Sequence, residues 1–291
     1  MKALLALVVL MLYINTATSQ AFYTIIDDDA GSVESVNALK ELADRKEIKI
    51  SFAPIAQNLQ SNKVLADTLL SYESQGFHVC NHSYSHSSSI WSGYDLLLIR
   101  DDMLNAVSVL DSLGFANHDY FVYPFGKFEN PIRDSILELS ANNFKLAFNS
   151  RGGYNDFKKG NFNKYYINRF PFRSHNDWFA EKAMIDKAIK DSSWIVILTH
   201  SHHPDFSLDG LERLIDYCQA KDLKAYTVHQ AYLEKVQFER SYPVSDDFGI
   251  VDEAVDVIFM HRFSLSIFCV AILSCVWLVV VLSESIRRKE R

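Results

Sequence analysis

Between residues 20 and 238 the chain alternates short apolar runs with helical patterns, and this alternation limits the possible folds most strongly. Runs such as 22–27 and 194–199 have strand length, and segments such as 33–45 place apolar residues on one helical face. Strands that alternate with helices at this spacing form a parallel sheet with helical crossovers. Seven or eight such units favour a closed or partly open barrel over a doubly wound sheet.

The two ends of the chain predict targeting and anchoring segments. Residues 1–19 carry Lys2 at their start, continue with an apolar core and end on small residues, as a secretory signal peptide does. Residues 263–282 form an uncharged run of twenty residues, which is long enough for one transmembrane helix. Residues 239–262 are an acidic spacer, and the basic tail 283–291 predicts a cytoplasmic C-terminus. We therefore expect a single-pass membrane protein whose 20–238 domain lies outside the cytoplasm, in the periplasm or at the cell surface.

Charge and cysteine content exclude two further classes of protein. The net charge is −7 and no basic stripe precedes the tail, so a nucleic-acid partner is not expected. Of the four cysteines, two lie in the predicted span, which leaves Cys80 and Cys218. Each lies in an apolar pattern, and we expect two buried thiols and no disulfide framework.

Two histidines four residues apart, His82 and His86, follow an apolar run and suggest a metal site. On one turn of helix this spacing would place both imidazoles on the same face, and imidazole suits zinc, cobalt or nickel. Three adjacent carboxylates, 27–29, follow the first predicted strand. Because the carboxyl ends of barrel strands meet on one face, two imidazoles and one carboxylate can form an open divalent site. A neighbouring carboxylate could then accept a proton from bound water.

Two other strand ends carry polar or turn-forming groups. The turn Tyr123, Pro124, Phe125 and Gly126 is either purely structural or a groove wall whose backbone N–H groups face a substrate. His200 directly follows the apolar strand 194–199, where an imidazole can donate a proton to a leaving group. The next histidines, 202 and 203, are expected to be loop residues or occasional metal contacts.

Five stretches of the chain resemble, in the same order, the motifs of the polysaccharide deacetylases of the NodB-homology type, carbohydrate esterase family four. The family motifs are an Asp pair after the first strand, His-[Ser/Thr]-x-x-His, an aromatic Pro-Tyr-Gly turn, a Trp/Asp motif and Leu-x-His. The matching residues here are 24–29, 82–86, 123–126, 176–178 and 198–200. They extend over most of the predicted barrel domain.

The resemblance implies a distorted (β/α)7–8 barrel with a divalent metal on one Asp and two His, a second Asp as base and a His as acid. His82 and His86 match the metal ligands, and His200 matches the acid. The three aspartates allow two registers. We expect Asp27 as base and Asp28 as ligand; the alternative has Asp28 as base and Asp29 as ligand.

Two positions depart from the family pattern. Val122 stands where many members have an Arg that orients the base, and we expect Arg169 to replace it. The fourth motif is only partly present, and there Trp178 is the expected contact to substrate, beside the 123–126 turn that would contact substrate and oxyanion.

The resemblance predicts a metal-dependent deacetylase that hydrolyses N-acetyl groups of a chitin-, peptidoglycan- or poly-GlcNAc-like glycan. Zinc is the expected metal, with cobalt or nickel as alternatives. Two alternatives use the same fold. One is an O-acetyl esterase acting on an acetylated xylan-type glycan, and the other is a catalytically silent glycan-binding module.

Overall fold

The computed structural model describes residues 21–126, 132–157, 162–173 and 177–236. All of them lie in the first of the two units into which the chain divides, residues 1–242. The strands are β1 (Phe22–Asp29), β2 (Ser51–Pro54), β3 (His78–Val79), β4 (Tyr120–Val122), β5 (Leu146–Phe148), β6 (Phe170–Pro171), β7 (Trp194–Thr199) and β8 (Lys224–Ala225). The helices are α1 (Val33–Arg45), α2 (Ala56–Ser61), α3 (Lys63–Ser74), α4 (Ser88–Trp91), α5 (Leu96–Leu113), α6 (Arg133–Asn143), α7 (Trp178–Lys190), α8 (Leu208–Ala220) and α9 (Val228–Ala231), followed by a π-helical turn (Tyr232–Val236).

Every pairing between these strands is parallel, and β1 lies at the centre. It pairs with β2 on one side and β7 on the other, β3 and β6 extend the sheet, and β8 pairs with the start of β1. The prediction of an α/β fold with a parallel sheet is confirmed.

Backbone hydrogen bonds join the separate β4–β5 pair to both ends of this sheet. Asn81, just after β3, donates to the carbonyl of Tyr120 and accepts from Val122 in β4. Ile167, shortly before β6, donates to Ala147 of β5 and accepts from Asn149. The strands from β1 to β7 therefore follow one another around a distorted barrel.

The two faces of β1 enter different apolar clusters, as the period of two along a strand requires. Phe22 and Ile26 pack with Trp194 in one cluster, against which α9 closes through Val228. Tyr23 and Ile25 pack in the larger cluster that includes residues of α1, α3 and α8. This alternation continues to the end of the strand, so the side chains of Asp27 and Asp28 point to opposite faces of the sheet.

Capping residues explain where several helices begin. Asp95 accepts from the N–H groups of Leu97 and Leu98, so α5 starts at Leu96. Thr227 forms a capping box with Gln230, so α9 starts at Val228.

The described residues test only part of the predicted domain plan. The signal peptide 1–19, the spacer 239–262, the span 263–282 and the tail 283–291 lie outside them. Among the described helices, none is long and apolar enough to cross a bilayer. Cys80 and Cys218 are both buried free thiols, which confirms that expectation.

Candidate functional site

Asp27 is fully buried at the end of β1, and both of its carboxylate oxygens accept hydrogen bonds. Oδ1 accepts from Thr199 Oγ1 at 2.8 Å and from the backbone N–H of Ser201 at 2.7 Å, and Oδ2 accepts from Ser201 Oγ at 2.7 Å. Burial raises the pKa of Asp27 to about 7, although the hydrogen bonds from Ser201 and Thr199 lower it. The residue thus ties β1 to the segment after β7 that carries His200.

Asp28 points to the other side of β1 and pairs with Arg169. The guanidinium Nη1 lies 2.5 Å from Asp28 Oδ1, and both side chains are buried. Arg169 also donates through Nε to the carbonyl of Asn149 at 2.9 Å. Asp28 Oδ2 lies 3.9 Å from Nε2 of His82. One oxygen of Asp28 is therefore held by a cation while the other faces the imidazole of His82.

Asp29 is the carboxylate that meets both histidines of the His-x3-His motif. Its Oδ1 lies 3.5 Å from His82 Nε2 and 3.8 Å from His86 Nε2. One ligand atom from each of these three residues lies within 4.8 Å of the other two. The strand ends here because Asp29 has a left-handed backbone with φ of 64°. The geometry therefore favours the alternative register, in which Asp28 is the base and Asp29 is a metal ligand.

Two buried polar atoms at this point have no hydrogen-bond partner within the described part of the chain. They are Asp29 Oδ1 and His82 Nε2, which face each other. His82 donates through Nδ1 to the carbonyl of Val122 at 2.8 Å, so in the neutral imidazole Nε2 carries the lone pair. A buried carboxylate oxygen and an imidazole lone pair repel unless a cation lies between them. The donor set fits a divalent metal.

The two imidazoles meet through a loop and not through a turn of helix as expected. Residues 82–86 have no helical structure, and Ser83 and His86 have left-handed φ values of 64° and 49°. The buried carboxylate of Asp102 in α5 holds this loop by accepting from the N–H of Ser85 and from Trp91 Nε1, each at 2.9 Å. The loop brings the rings of His82 and His86 to a centroid separation of 4.7 Å. Sequence reasoning missed Asp102, because an acid in a helical segment has no distinctive spacing.

Charges within the cluster shift its titrations. Burial works to raise the pKa of Asp29, but His82, His86 and His200 lower it well below its usual range. Burial works to lower the pKa of His82, but Asp28 and Asp29 raise it overall. For His86, burial and the neighbouring His82 lower the pKa. The lowered pKa values of Asp29 and His86 favour the ionised carboxylate and neutral imidazole that metal binding needs, whereas the raised pKa of His82 means that a metal would have to displace its proton.

His200 and His202 approach the opposite side of Asp29. Their Nε2 atoms lie 3.9 Å and 3.7 Å from Asp29 Oδ2. Burial lowers the pKa of His200, although Asp28 and Asp29 act to raise it. His200 lines a cavity of about 270 Å³ together with Phe172, Arg173, His203, Asp205 and Phe206. A histidine that lines a cavity is thus placed beside the candidate metal donors, and His202, expected to be a loop residue or an occasional metal contact, lies in the loop after β7 with its imidazole near the same carboxylate.

The turn after β4 lies at the rim of the cluster. Tyr123 is buried and its hydroxyl donates to the carbonyl of Tyr165 at 2.9 Å, and Pro124 is buried beside it. Phe125 is half exposed, with its ring centroid 4.5 Å from that of His86. Gly126 has φ of 62°, and a Cβ there would lie 1.9 Å from Ser150 Oγ, so only glycine fits. Phe125 alone of this turn presents a ring beside the histidines.

Trp178 takes a position between two helices. It begins α7, its ring centroid lies 5.7 Å from that of Tyr217 in α8, and the guanidinium of Arg213 lies 4.6 Å from its centre. These contacts assign it to helix packing, whereas we had expected a contact to substrate. Asp177 caps α7 by accepting from the N–H of Phe179, and residue 176 of the same motif lies outside the described residues.

Comparisons with known proteins agree with this arrangement. Residues 15–143 match the family model described as Polysaccharide deacetylase, which confirms the resemblance. The fold is shared by the Xyl-CE4 domain of a multidomain xylanase from the hindgut metagenome of Trinervitermes trinervoides (TM-score 0.52, 14% identity, covering 75% of this chain and 91% of that one). It is also shared by a family 4 acetyl xylan esterase from Clostridium thermocellum in complex with a cobalt ion (TM-score 0.52, 15% identity, covering 73% and 90%). No curated protein matches the sequence.

Proposed function

We propose that this chain, a member of the polysaccharide deacetylase family, is a metal-dependent hydrolase that removes N-acetyl groups from a glycan. One observation supports this proposal above the others. Asp29 Oδ1, His82 Nε2 and a ring nitrogen of His86 lie together, and the first two are buried without a hydrogen-bond partner among the described residues. A cation is the ligand that satisfies all three.

Asp29, His82 and His86 would hold the metal, leaving the remaining positions open to water and substrate. Zinc is the expected ion, and cobalt or nickel also suits two imidazoles and a carboxylate. A divalent cation in this position supplies Lewis acidity toward the acetyl carbonyl and makes bound water more acidic.

Asp28 is the general base of the proposed reaction. Arg169 holds its Oδ1, so Oδ2 is the oxygen left to accept a proton from the attacking water. Asp27 cannot easily take this role, because Thr199 and Ser201 already donate to both of its oxygens. We therefore propose the alternative register, with Asp28 as base and Asp29 as ligand, in place of the expected Asp27 and Asp28.

His200 is the proposed general acid. It lines the cavity, on the opposite side of Asp29 from His86, where it can protonate the departing amine nitrogen. Asp27 accepts from the backbone N–H of Ser201, the residue after His200, and thereby fixes the position of His200. The backbone N–H of Phe125, at the rim beside His86, is the proposed donor to the developing oxyanion.

The test is to replace His82 by Ala and to measure metal content and acetate release together. We expect the purified wild type to hold one divalent ion per chain and to release acetate from N-acetylated oligosaccharides. The His82→Ala variant should lose both, because Nε2 is the buried donor of the site. His118→Ala, whose imidazole pairs with Asp111 elsewhere, is the matched control. A metal-free His82→Ala variant with wild-type turnover would refute the proposal.

Acetylated xylan belongs in the same assay. If acetate is released from acetylated xylan and not from chitin or peptidoglycan fragments, the enzyme is an O-acetyl esterase and not an N-deacetylase. Metal binding without turnover on either would identify a silent glycan-binding module.

We also propose that the barrel works outside the cytoplasm and is anchored to the membrane. The support is sequence alone: residues 1–19 have the composition of a signal peptide, and 263–282 is an uncharged apolar run followed by a basic tail.

A further inference from the structure

The carboxylate of Asp29 has imidazoles on both of its oxygens. Oδ1 faces His82 and His86, and Oδ2 faces His200 at 3.9 Å and His202 at 3.7 Å. The proposed function assigns roles to three of these four imidazoles. His202 is left without one, although it is the imidazole closer to Oδ2.

His202 packs against the turn that follows β1. A Cβ added to Gly31 would lie 3.0 Å from His202 Cγ and 3.3 Å from its Cβ and Cδ2. A side chain on residue 31 would therefore push the imidazole away, and glycine lets the ring lie against the backbone. This packing links the position of His202 directly to the turn that carries Asp29.

His200 and His202 differ in what they face. The His200 side chain is 43% exposed and lines the cavity, as a group that meets substrate must. The His202 side chain is 32% exposed and rests on Gly31. The structure thus separates a histidine available to substrate from one that supports the wall of the centre.

The backbone around Asp29 explains why this carboxylate needs support. Asp29 and Ala30 have φ values of 64° and 41°, both in the left-handed region that residues other than glycine seldom adopt. Such a backbone persists only where surrounding contacts hold it. Contacts to Oδ2 from the far side are contacts of that kind.

We propose that His202 is a positioning residue for the metal site, in which its Nε2–H holds Oδ2 of Asp29 so that Oδ1 stays directed at His82 and His86. The inference rests on the proposed function, since it concerns the metal that function requires. A partner on the non-ligating oxygen of a metal carboxylate fixes its orientation, and loss of such partners typically weakens metal binding roughly 10–100-fold.

The experiment measures the affinity of the full-length protein for Zn²⁺ and Co²⁺ by competition with a chromophoric chelator. The His202→Ala variant should bind one ion per chain, roughly 10–100-fold more weakly than the wild type. His202→Gln keeps an N–H donor at similar reach and should restore most of the affinity. Gly31→Ala should also weaken metal binding, because the added Cβ displaces the His202 ring while the ligands Asp29, His82 and His86 are unchanged.

Two neighbouring histidines serve as controls. His203→Ala, whose imidazole pairs with Asp205, should leave metal affinity unchanged. His200→Ala should reduce acetate release while metal affinity stays close to that of the wild type. Thermal unfolding of each metal-free variant shows that the protein is folded before affinities are compared.

The possible outcomes separate the inference from the proposed function. If the wild type binds a metal and His202→Ala binds it equally well, the inference is overturned and the proposed function stands. If the wild type binds no metal, the proposed metal centre itself fails. If His202→Ala binds fewer ions, or its Co²⁺ absorption spectrum shows a different ligand set, His202 is a ligand and the positioning role is refuted.

Discussion

Arg169 and Asp28 form an ion pair in which both side chains are buried. Removing one partner of a buried pair leaves the other charge uncompensated, which is far more costly than loss of an exposed pair. Many members of the family carry an arginine where this chain has Val122, and here a guanidinium from a different strand end contacts the corresponding aspartate. In the proposed reaction, Arg169 therefore takes the place of that arginine from another position in the chain.

Replacement of Arg169 by Ala should lower the free energy of unfolding by about 3–5 kcal/mol and should strongly reduce acetate release, because Asp28 would lose its orienting cation. Urea denaturation and the acetate assay measure the two effects. Arg100→Ala is the matched control, since its pair with Asp101 is exposed and should contribute less than about 1 kcal/mol. Equal stabilities of the two variants would contradict this account.

His78 makes stability depend on pH. Burial lowers its pKa from 6.5 to about 4, with the neighbouring His229 adding to the effect and a hydrogen bond to the Asn117 carbonyl opposing it. Since the unfolded chain binds this proton more readily than the folded one, the contribution to stability is complete above pH 6.5 and is lost as pH falls toward 4.

Denaturation at a series of pH values measures this loss. The wild type should lose roughly 3 kcal/mol more than His78→Gln between pH 7 and pH 4, because glutamine keeps the hydrogen bond but does not titrate. His118→Gln is the control. Parallel pH profiles for the wild type and His78→Gln would show that His78 is protonated equally in both states.

The end of β1 directs three adjacent carboxylates to three different sets of partners. The alternation of a strand sends Asp27 toward Ser201 and Asp28 toward Arg169. The left-handed turn at Asp29 then directs the third carboxylate at the histidines. Three identical side chains thus make different contacts because the backbone directs them to different partners.

Single replacement of each aspartate by asparagine should separate their roles. Asp29→Asn should lose metal, and Asp28→Asn should keep metal but lose turnover by 10²-fold or more, the usual scale for a general base. Asp27→Asn should keep metal and lose stability, because an amide cannot accept from three donors at once. Metal content, acetate release and urea denaturation give the three readouts. Loss of metal in Asp28→Asn with retention in Asp29→Asn would restore the first register.

At the scale of the whole molecule, the proposed anchoring makes a separate prediction. Full-length protein expressed in cells should resist alkaline extraction from membranes, and deletion of residues 263–291 should release it. A tag placed after Arg291 should be protected from protease added outside, because the basic tail favours the cytoplasmic side. N-terminal sequencing should find cleavage near Gln20. A full-length protein that is extracted like the truncated one would exclude the anchor.

The sequence by itself determined the parallel α/β architecture and the candidate groups of the site. Both follow from local signals: the spacing of apolar residues reports strands and helices, and His82, His86, His200 and the 27–29 carboxylates follow strand ends. Arg169 was also singled out from the sequence, since it comes just before β6, and the structure pairs it with Asp28.

Tertiary structure decided which side chain faces which. The sequence left two registers for the aspartates, because the choice depends on the φ angle of Asp29 and on the contacts between β1 and the segment after β7. His202 was expected to be a loop residue or an occasional metal contact, and only the tertiary structure shows its imidazole packed against Gly31 and beside Asp29. Trp178 matched a motif yet packs between α7 and α8. Local pattern specifies backbone elements, whereas the orientation of a side chain at the end of a strand depends on contacts with residues distant in the sequence.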